Sequence, residues 1–307
     1  MTSLNKTILI ILLGVPATLL LAADPEMENE DHAEPGKGKW EKLLQKDYSE
    51  NWEVFLGVPH GSVADLEGVN PDSDGKKGIP LGLGNDPKEV FKIEKEGKET
   101  VLHISGQIYG GLTSKEEYEN YHLQLQFKWG EKIWPPRIGR KRDSGLLYHC
   151  VGEHGTFWNV WMRSQEFQIQ EGDTGDYYGL AGTEIDIPSF QPEGEREFIY
   201  ARDSSIHPFS SIDRKIQSHC NKGFDNEKPN GEWNTLELIC IGSTSIHKVN
   251  GKVVMVLYNS RHAAENGELV PLSKGKIQIQ SEAAEVYYKN INIRMLDETT
   301  PLASFLK

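Results

Sequence analysis

The sequence predicts an all-β fold: a sandwich of two antiparallel sheets carrying long loop insertions. Three observations predict it. Short runs alternate apolar and polar residues with the period of two that a half-buried strand requires. Asn250-Gly251 stands between the apolar-rich runs Ser245–Val249 and Lys252–Tyr258. This is a strong hairpin signal, because both central residues of a type I′ turn need positive φ. After residue 48 no stretch reads as a helix of three turns, so the crossovers of a parallel sheet are missing. Many short strands with Gly- and Pro-rich connections are the pattern of a jelly roll.

Taken in order, the chain of 307 residues opens on Lys6, an apolar run Ile8–Leu21 broken at Gly14-Val15-Pro16, and the small pair Ala22-Ala23. That is the layout of a secretory signal over residues 1–23, so the protein is expected to be exported to the periplasm or the extracellular space. The apolar run is short of the ~20 residues a spanning helix needs, and no later segment is apolar enough to cross a membrane. Residues 24–48 read as an acidic linker followed by a short helix over Trp40–Asp47. The main domain is expected over residues 49–297, with a tail over 298–307. Residues 57–89 carry Gly, Pro and Asp with little periodicity and read as a long loop.

Strands are then expected at Val90–Ile93, Thr100–Ser105, Gln107–Gly110, Tyr121–Trp129, Gly145–Val151 and Glu166–Gln170. After a second irregular stretch, residues 172–230, they resume at Thr235–Ile241, Ser245–Val249, Lys252–Tyr258, Lys276–Gln280 and Val286–Arg294. An ordered insertion this long is usually functional. Cys150, Cys220 and Cys240 match no zinc spacing; in an oxidising compartment one pair could bridge, or all could be small buried apolar residues. The net charge of −13 argues against a nucleic-acid partner.

The polar faces carry the functional signal. Glu166, Gln168 and Gln170 share one face of a strand whose other face is Phe167 and Ile169. Gln124, Gln126 and Lys128 alternate with Leu123, Leu125 and Phe127; Gln278 and Gln280 alternate with Ile277 and Ile279. A carboxylate beside rows of amides suits sugar hydroxyls, which both donate and accept. Three such strands predict one continuous polar sheet face that binds a saccharide.

Several segments together resemble a known family. They are Tyr118-Glu119-Asn120-Tyr121-His122-Leu123-Gln124-Leu125, Asp143-Ser144-Gly145-Leu146-Leu147-Tyr148-His149, Glu166-Phe167-Gln168-Ile169, Gly231-Glu232-Trp233-Asn234-Thr235, Val249-Asn250-Gly251 and Gly275-Lys276-Ile277-Gln278-Ile279-Gln280. In this order they are similar to the 3-keto-disaccharide hydrolase domain, over residues 49–296. The resemblance implies a concanavalin A-like jelly roll that is secreted and hydrolyses glycosides whose ring is oxidised to a 3-ketone. In such a ring the C2 proton is comparatively acidic. A base can remove it, an enolate forms, the C1 substituent leaves, and water adds back. The site then needs a base, an enolate stabiliser and an acid for the leaving oxygen.

Glu166 is the leading candidate for acid or base, and His149 could be its partner. Family members often carry Arg at the position of His149, which allows a plain hydrogen-bonding role. Arg163 could stabilise an oxyanion or pair with Glu166. Gln124, Gln126, Lys128, Gln168 and Gln280 are candidate substrate contacts, with Trp161 and Tyr178 as rings for sugar C–H faces. Glu184 and Asp186 form a competing pair. Laminarinase-type glucanases use Glu-x-Asp with a third carboxylate, and Pro188-Ser189-Phe190 supplies none here. No cofactor is called for. Asp173 and Asp176 could contribute to a Ca²⁺ site, but two carboxylates are too few to specify one. A non-catalytic, lectin-like module is the alternative reading, since fold does not decide function.

Overall fold

A computed structural model describes residues 38–66, 70–213 and 215–307; the expected signal segment and most of the acidic linker lie outside them. The alternating runs pair as two antiparallel sheets, of twelve and nine strands among the described residues. No α-helix occurs there; two short 3₁₀ turns, Tyr48–Glu50 and Leu302–Phe305, are the only helical elements. The wide sheet runs Phe91–Glu96, Glu99–Ile104, Ala284–Met295, Tyr121–Ile133, Asn234–Ile241, Thr244–Val249, Lys252–Ala263 and Thr183–Phe190. The narrow sheet runs His219–Cys220, Tyr177–Leu180, Arg163–Gln170, Asp143–Val151, Lys274–Ser281, Gly110–Ser114 and Trp52–Leu56. Consecutive strands often sit in different sheets, and this is the jelly-roll sandwich. Asn250 and Gly251 have φ of 48° and 78° and close the predicted hairpin.

Period-2 alternation sets what lies between the sheets. Leu123, Leu125 and Phe127 from the wide sheet meet Phe167, Ile169, Ile277 and Ile279 from the narrow one in a single buried cluster. Each such side chain stabilises the fold by about 1.5–3 kcal/mol through removal from water. With these residues inward, Glu166, Gln168 and Gln170 must face outward from the narrow sheet, as must Gln278 and Gln280. The strands that carry them flank Asp143–Val151: Gln168 lies opposite Gly145, Glu166 opposite Leu147, and Ile279 opposite Leu146. The outer face of the narrow sheet therefore gathers one polar row across three strands.

Other expectations need correction. Tyr121–Ile133 has the predicted phase but belongs to the wide sheet, so Gln124, Gln126 and Lys128 face away on the opposite side of the sandwich. There Gln126 donates to the Thr235 hydroxyl at 3.2 Å and accepts from Asn290 at 2.9 Å, and Lys128 pairs with Glu96 at 3.2 Å. Periodicity fixes the face of a strand but not its sheet. The helix expected over Trp40–Asp47 does not form. Glu41–Lys42 instead pairs with Asn292–Ile293, and the Leu43 N–H reaches the Ile291 carbonyl at 2.8 Å. All three cysteines are buried and unpaired.

His149 departs for a specific reason. Along Asp143–Val151 the residues Asp143, Gly145 and Leu147 face outward, and simple alternation would add His149. A bulge intervenes: Gln278 lies opposite Leu147 but Lys276 lies opposite Cys150, so two residues of one strand face one of the other. His149 takes φ of 51° and turns inward, edge-on to Tyr121 and Tyr148. Its Nδ1 donates to the Leu272 carbonyl at 3.0 Å, and burial pushes its pKa down to about 4. It is a neutral core histidine. His149→Leu is expected to cost about 1–3 kcal/mol by stranding that carbonyl, with turnover per folded molecule unchanged. Denaturant melts and active-site-normalised rates check this; a selective loss of turnover would return His149 to the site.

Candidate active site

The polar row floors a cavity of about 780 Å³, within the ~300–1,000 Å³ range of small-molecule sites. Glu166, Gln168, Gln170, Gln280 and Glu282 line its floor with Asp143 and Arg137. Phe157, Trp158, Trp161 and Tyr178 form one flank. The stretch from Gly179 to His219, within the long insertion, supplies the rest, including Arg196, Glu197 and Gln217.

Glu166 has the most distinctive surroundings among the carboxyls of this floor. It is almost fully buried, and no hydrogen bond contributes to its ionisation. Burial pushes its pKa well above the usual carboxylate range, and neighbouring Glu282 raises it further against the pull of Arg137. Glu282 is also raised by burial, while Arg137 and Lys76 draw it back. Arg137 contacts Glu282 at 2.8 Å and also bonds Asp143, whose same oxygen accepts from Gln170 at 2.6 Å. Two carboxyls in one low-dielectric cavity cannot both ionise easily. Arg137 touches Glu282 directly, so of the two carboxyls Glu282 has the closer cation.

Gly145 makes room for this. A Cβ there would overlap the side-chain oxygens of both Glu166 and Gln280, which lean over it from the flanking strands. Gly145→Ala is expected to displace both groups, lowering turnover by at least about tenfold and costing about 1–3 kcal/mol of stability through overpacking. Kinetics and a crystal structure of the variant check it; unchanged turnover would mean that the spacing of Glu166 and Gln280 is not critical.

The aromatic flank is packed against itself. Phe157 stacks on Trp158 with centroids 4.6 Å apart, and Lys76 Nζ lies 3.3 Å from the Trp158 ring centre. Trp161 is buried and donates from Nε1 to the Gly110 carbonyl at 2.9 Å. Tyr178 stacks on His219 at 4.2 Å. Trp161 and Tyr178 are thus in the cavity wall, where the sequence places them, but as members of a small core.

Arg163 is elsewhere. Its guanidinium bonds the carbonyls of Ala181 at 2.6 Å and Ala263 at 3.0 Å, fixing loops rather than meeting Glu166. Arg137 holds the place by Glu166 that Arg163 was expected to fill. Glu184 and Asp186 are both tied to Arg261. Asp173 pairs with Lys141 at 2.6 Å, and Asp176 accepts from the Lys222 N–H at 2.9 Å. Among the described residues no group of three or more His, Cys, Asp or Glu is placed to hold a metal.

Sequence reasoning missed Arg137, Asp143, Glu282 and His219. Glu282 was accessible, since the alternation Gln278, Gln280 continues to it two residues on. Asp143 likewise continues the outward face from Gly145. Arg137 and His219 lie outside periodic segments and carry no local signal.

Sandwich and cavity together are those of a glycoside-hydrolase-like or carbohydrate-binding fold. The chain belongs to the 3-keto-alpha-glucoside-1,2-lyase-like domain family, whose model matches residues 39–294. No curated protein matches it. Among solved structures it is similar to a candidate glycosyl hydrolase from Parabacteroides distasonis ATCC 8503, at 17% identity and TM-score 0.45, covering 84% of this chain and 94% of that one. It is also similar to a β-glucanase of Bacillus licheniformis (11% identity, TM-score 0.37, 85% and 99% covered). The carbohydrate binding module CBM66 of Bacillus subtilis is a further match (7% identity, TM-score 0.37, 66% and 91% covered).

Proposed function

We propose that the protein cleaves glycosides whose sugar ring carries a 3-ketone, with Glu166 as the proton-transferring acid. The observation that carries this is a buried carboxyl, its pKa raised by burial and by Glu282, opening on a cavity beside a second buried carboxyl that contacts an arginine. Two carboxyls in one site, only one of them in contact with a cation, are a usual basis for dividing the acid role from the base role. Glu282 would take the C2 proton, made acidic by the adjacent ketone. The electron pair moves to the ketone oxygen as an enolate, with Arg137 as the nearby cation. The enolate expels the C1 oxygen, which receives the Glu166 proton. Water then adds across the C1–C2 double bond to complete hydrolysis. Gln168, Gln170 and Gln280 are the hydroxyl contacts.

The lectin reading is less well supported. A binding platform presents free aromatic faces, whereas these rings are stacked on one another, on Lys76 and on His219. Nor does binding alone call for an acid so far from its ordinary ionisation. Incubation with 3-keto-glucosides and their unoxidised parents, with products followed by mass spectrometry, tests the proposal. Release from the keto sugars alone supports it. Release from the parents as well indicates an ordinary glycosidase, and binding without release of either indicates a lectin. Export belongs to the same proposal, resting on Lys6, the apolar run and Ala22-Ala23; N-terminal sequencing showing intact Met1 in a cytoplasmic fraction would remove it.

A further inference from the structure

Next to the backbone bonds that join Phe198 and Tyr200 to Asn221 at 2.9 and 2.8 Å, the cavity wall formed by the insertion carries one charged side-chain contact to the sheet. His219 Nδ1 lies 3.0 Å from Glu197 Oε2, and its Nε2 lies 3.3 Å from Asp176 Oδ2. The two nitrogens sit on opposite edges of the ring, so the carboxylates do not converge on a shared metal. Carboxylates only accept, so both ring nitrogens must carry protons to satisfy both bonds, and the ring is then an imidazolium. Asp176 is anchored to the sheet: it is buried and accepts the Lys222 N–H at 2.9 Å, with Lys222 Nζ 3.9 Å away. Glu197 is half-exposed and lies on the insertion segment that also brings Arg196 to the cavity. Gln191 and Gln217 both donate to the Arg196 carbonyl, next to Glu197 in the chain. One face of the His219 ring is packed on Tyr178, which lies opposite Glu166 in the sheet register.

We propose that His219 is a positioning residue, a proton-dependent latch that docks the Arg196–Glu197 wall onto the cavity beside Tyr178. With the ring protonated, Glu197 and Asp176 are bridged and the wall is closed. With the ring neutral, one of the two bonds must be lost. Asp176 is the buried, anchored partner, so Glu197 is the one released. The facing charged and titratable groups are Asp176 and Lys222 from the sheet side, Tyr178 beneath the ring, and Glu197 from the insertion. Burial opposes charge on the ring, but the bonds to Asp176 and Glu197 outweigh it and raise its pKa above the ordinary 6.5. The sign follows: the latch is fully engaged below the ordinary value and is lost as pH rises through the raised one.

The latch bears on turnover through the functional reading above, but its test needs no substrate. Hydrogen exchange of the amides from 195 to 200 is followed between pH 5 and 9, corrected for the intrinsic pH dependence of exchange. Protection in the wild type should fall by about tenfold or more across this range, the scale of one charge-assisted hydrogen bond. His219→Gln should show low protection throughout with no pH step. Glu197→Gln, altering a half-exposed side chain, should do the same and serves if His219→Gln does not fold. Flat protection in the wild type, or a step that persists in either variant, would overturn the latch. The KM for a 3-keto-glucoside should rise over the same pH range with kcat less affected. If the protein shows the exchange step but cleaves no keto sugar, the functional reading fails and the latch stands. If it cleaves keto sugars without the step, the reverse holds.

Discussion

Glu166→Gln is expected to lower turnover on a 3-keto-glucoside by about 10²–10⁴-fold, the usual contribution of a positioned general acid. The amide keeps the shape and polarity of the carboxyl but has no proton to give to the leaving oxygen. KM should change little, because Gln168, Gln170, Gln280 and the aromatic wall remain. Stability supplies a second, independent readout. The folded-state pKa of Glu166 is raised, so the folded protein holds a proton there that the unfolded chain releases above about pH 4.5. The associated stability is complete at lower pH and is lost as pH rises through the raised value. Glutamine carries no such penalty. The variant should therefore melt above the wild type at pH 8, with the gap closing toward pH 4. Unchanged turnover would exclude Glu166 as the acid. A melting gap independent of pH would show that Glu166 is not held protonated.

Why these residues could be partly foreseen, and others not, follows from how each kind of signal arises. Alternation is a local property of a strand, so the inward set of Leu123, Phe167 and Ile277 and the outward set of Glu166, Gln168 and Gln280 were legible. Sheet membership is not local. The strand Tyr121–Ile133 carries the same amide-rich pattern as Arg163–Gln170, yet pairs with Asn234–Ile241 and Ala284–Met295 on the far side of the sandwich. That misplaced Gln124, Gln126 and Lys128 together. One extra residue in a bulge moved His149 from the polar face into the core, and nothing in Tyr148-His149-Cys150 announces positive φ. Arg137 follows the strand Tyr121–Ile133 in a connecting loop and reaches Asp143 and Glu282 only once three segments have assembled. His219 likewise depends on the insertion folding back on Tyr177–Leu180. Charged partners chosen across long sequence separations leave no periodic trace.

The second large effect is on that assembly. Arg137 is the cation in direct contact with two buried carboxylates, Asp143 and Glu282, which are 2% and 8% exposed at their side chains. Arg137→Met keeps most of the side-chain length but leaves both acids without it. Breaking a buried pair by removing one partner costs about 3–5 kcal/mol, because the remaining charge is uncompensated. Glu282, whose pKa burial already raises, can escape by taking up a proton, so the loss should be largest at pH 8 and smaller near pH 5. Activity should fall as well, since with Arg137 gone Glu282 competes with Glu166 for the proton and the division into acid and base collapses. Urea melts at the two pH values, with pH–rate profiles alongside, measure both consequences. A cost below about 1 kcal/mol, in the range of an exposed ion pair, would mean that water rather than Arg137 compensates these carboxylates. A full cost that is equal at pH 5 and pH 8 would attribute the destabilisation to lost packing of the guanidinium stem, and the electrostatic account of the Glu166–Glu282 pair would fall with it.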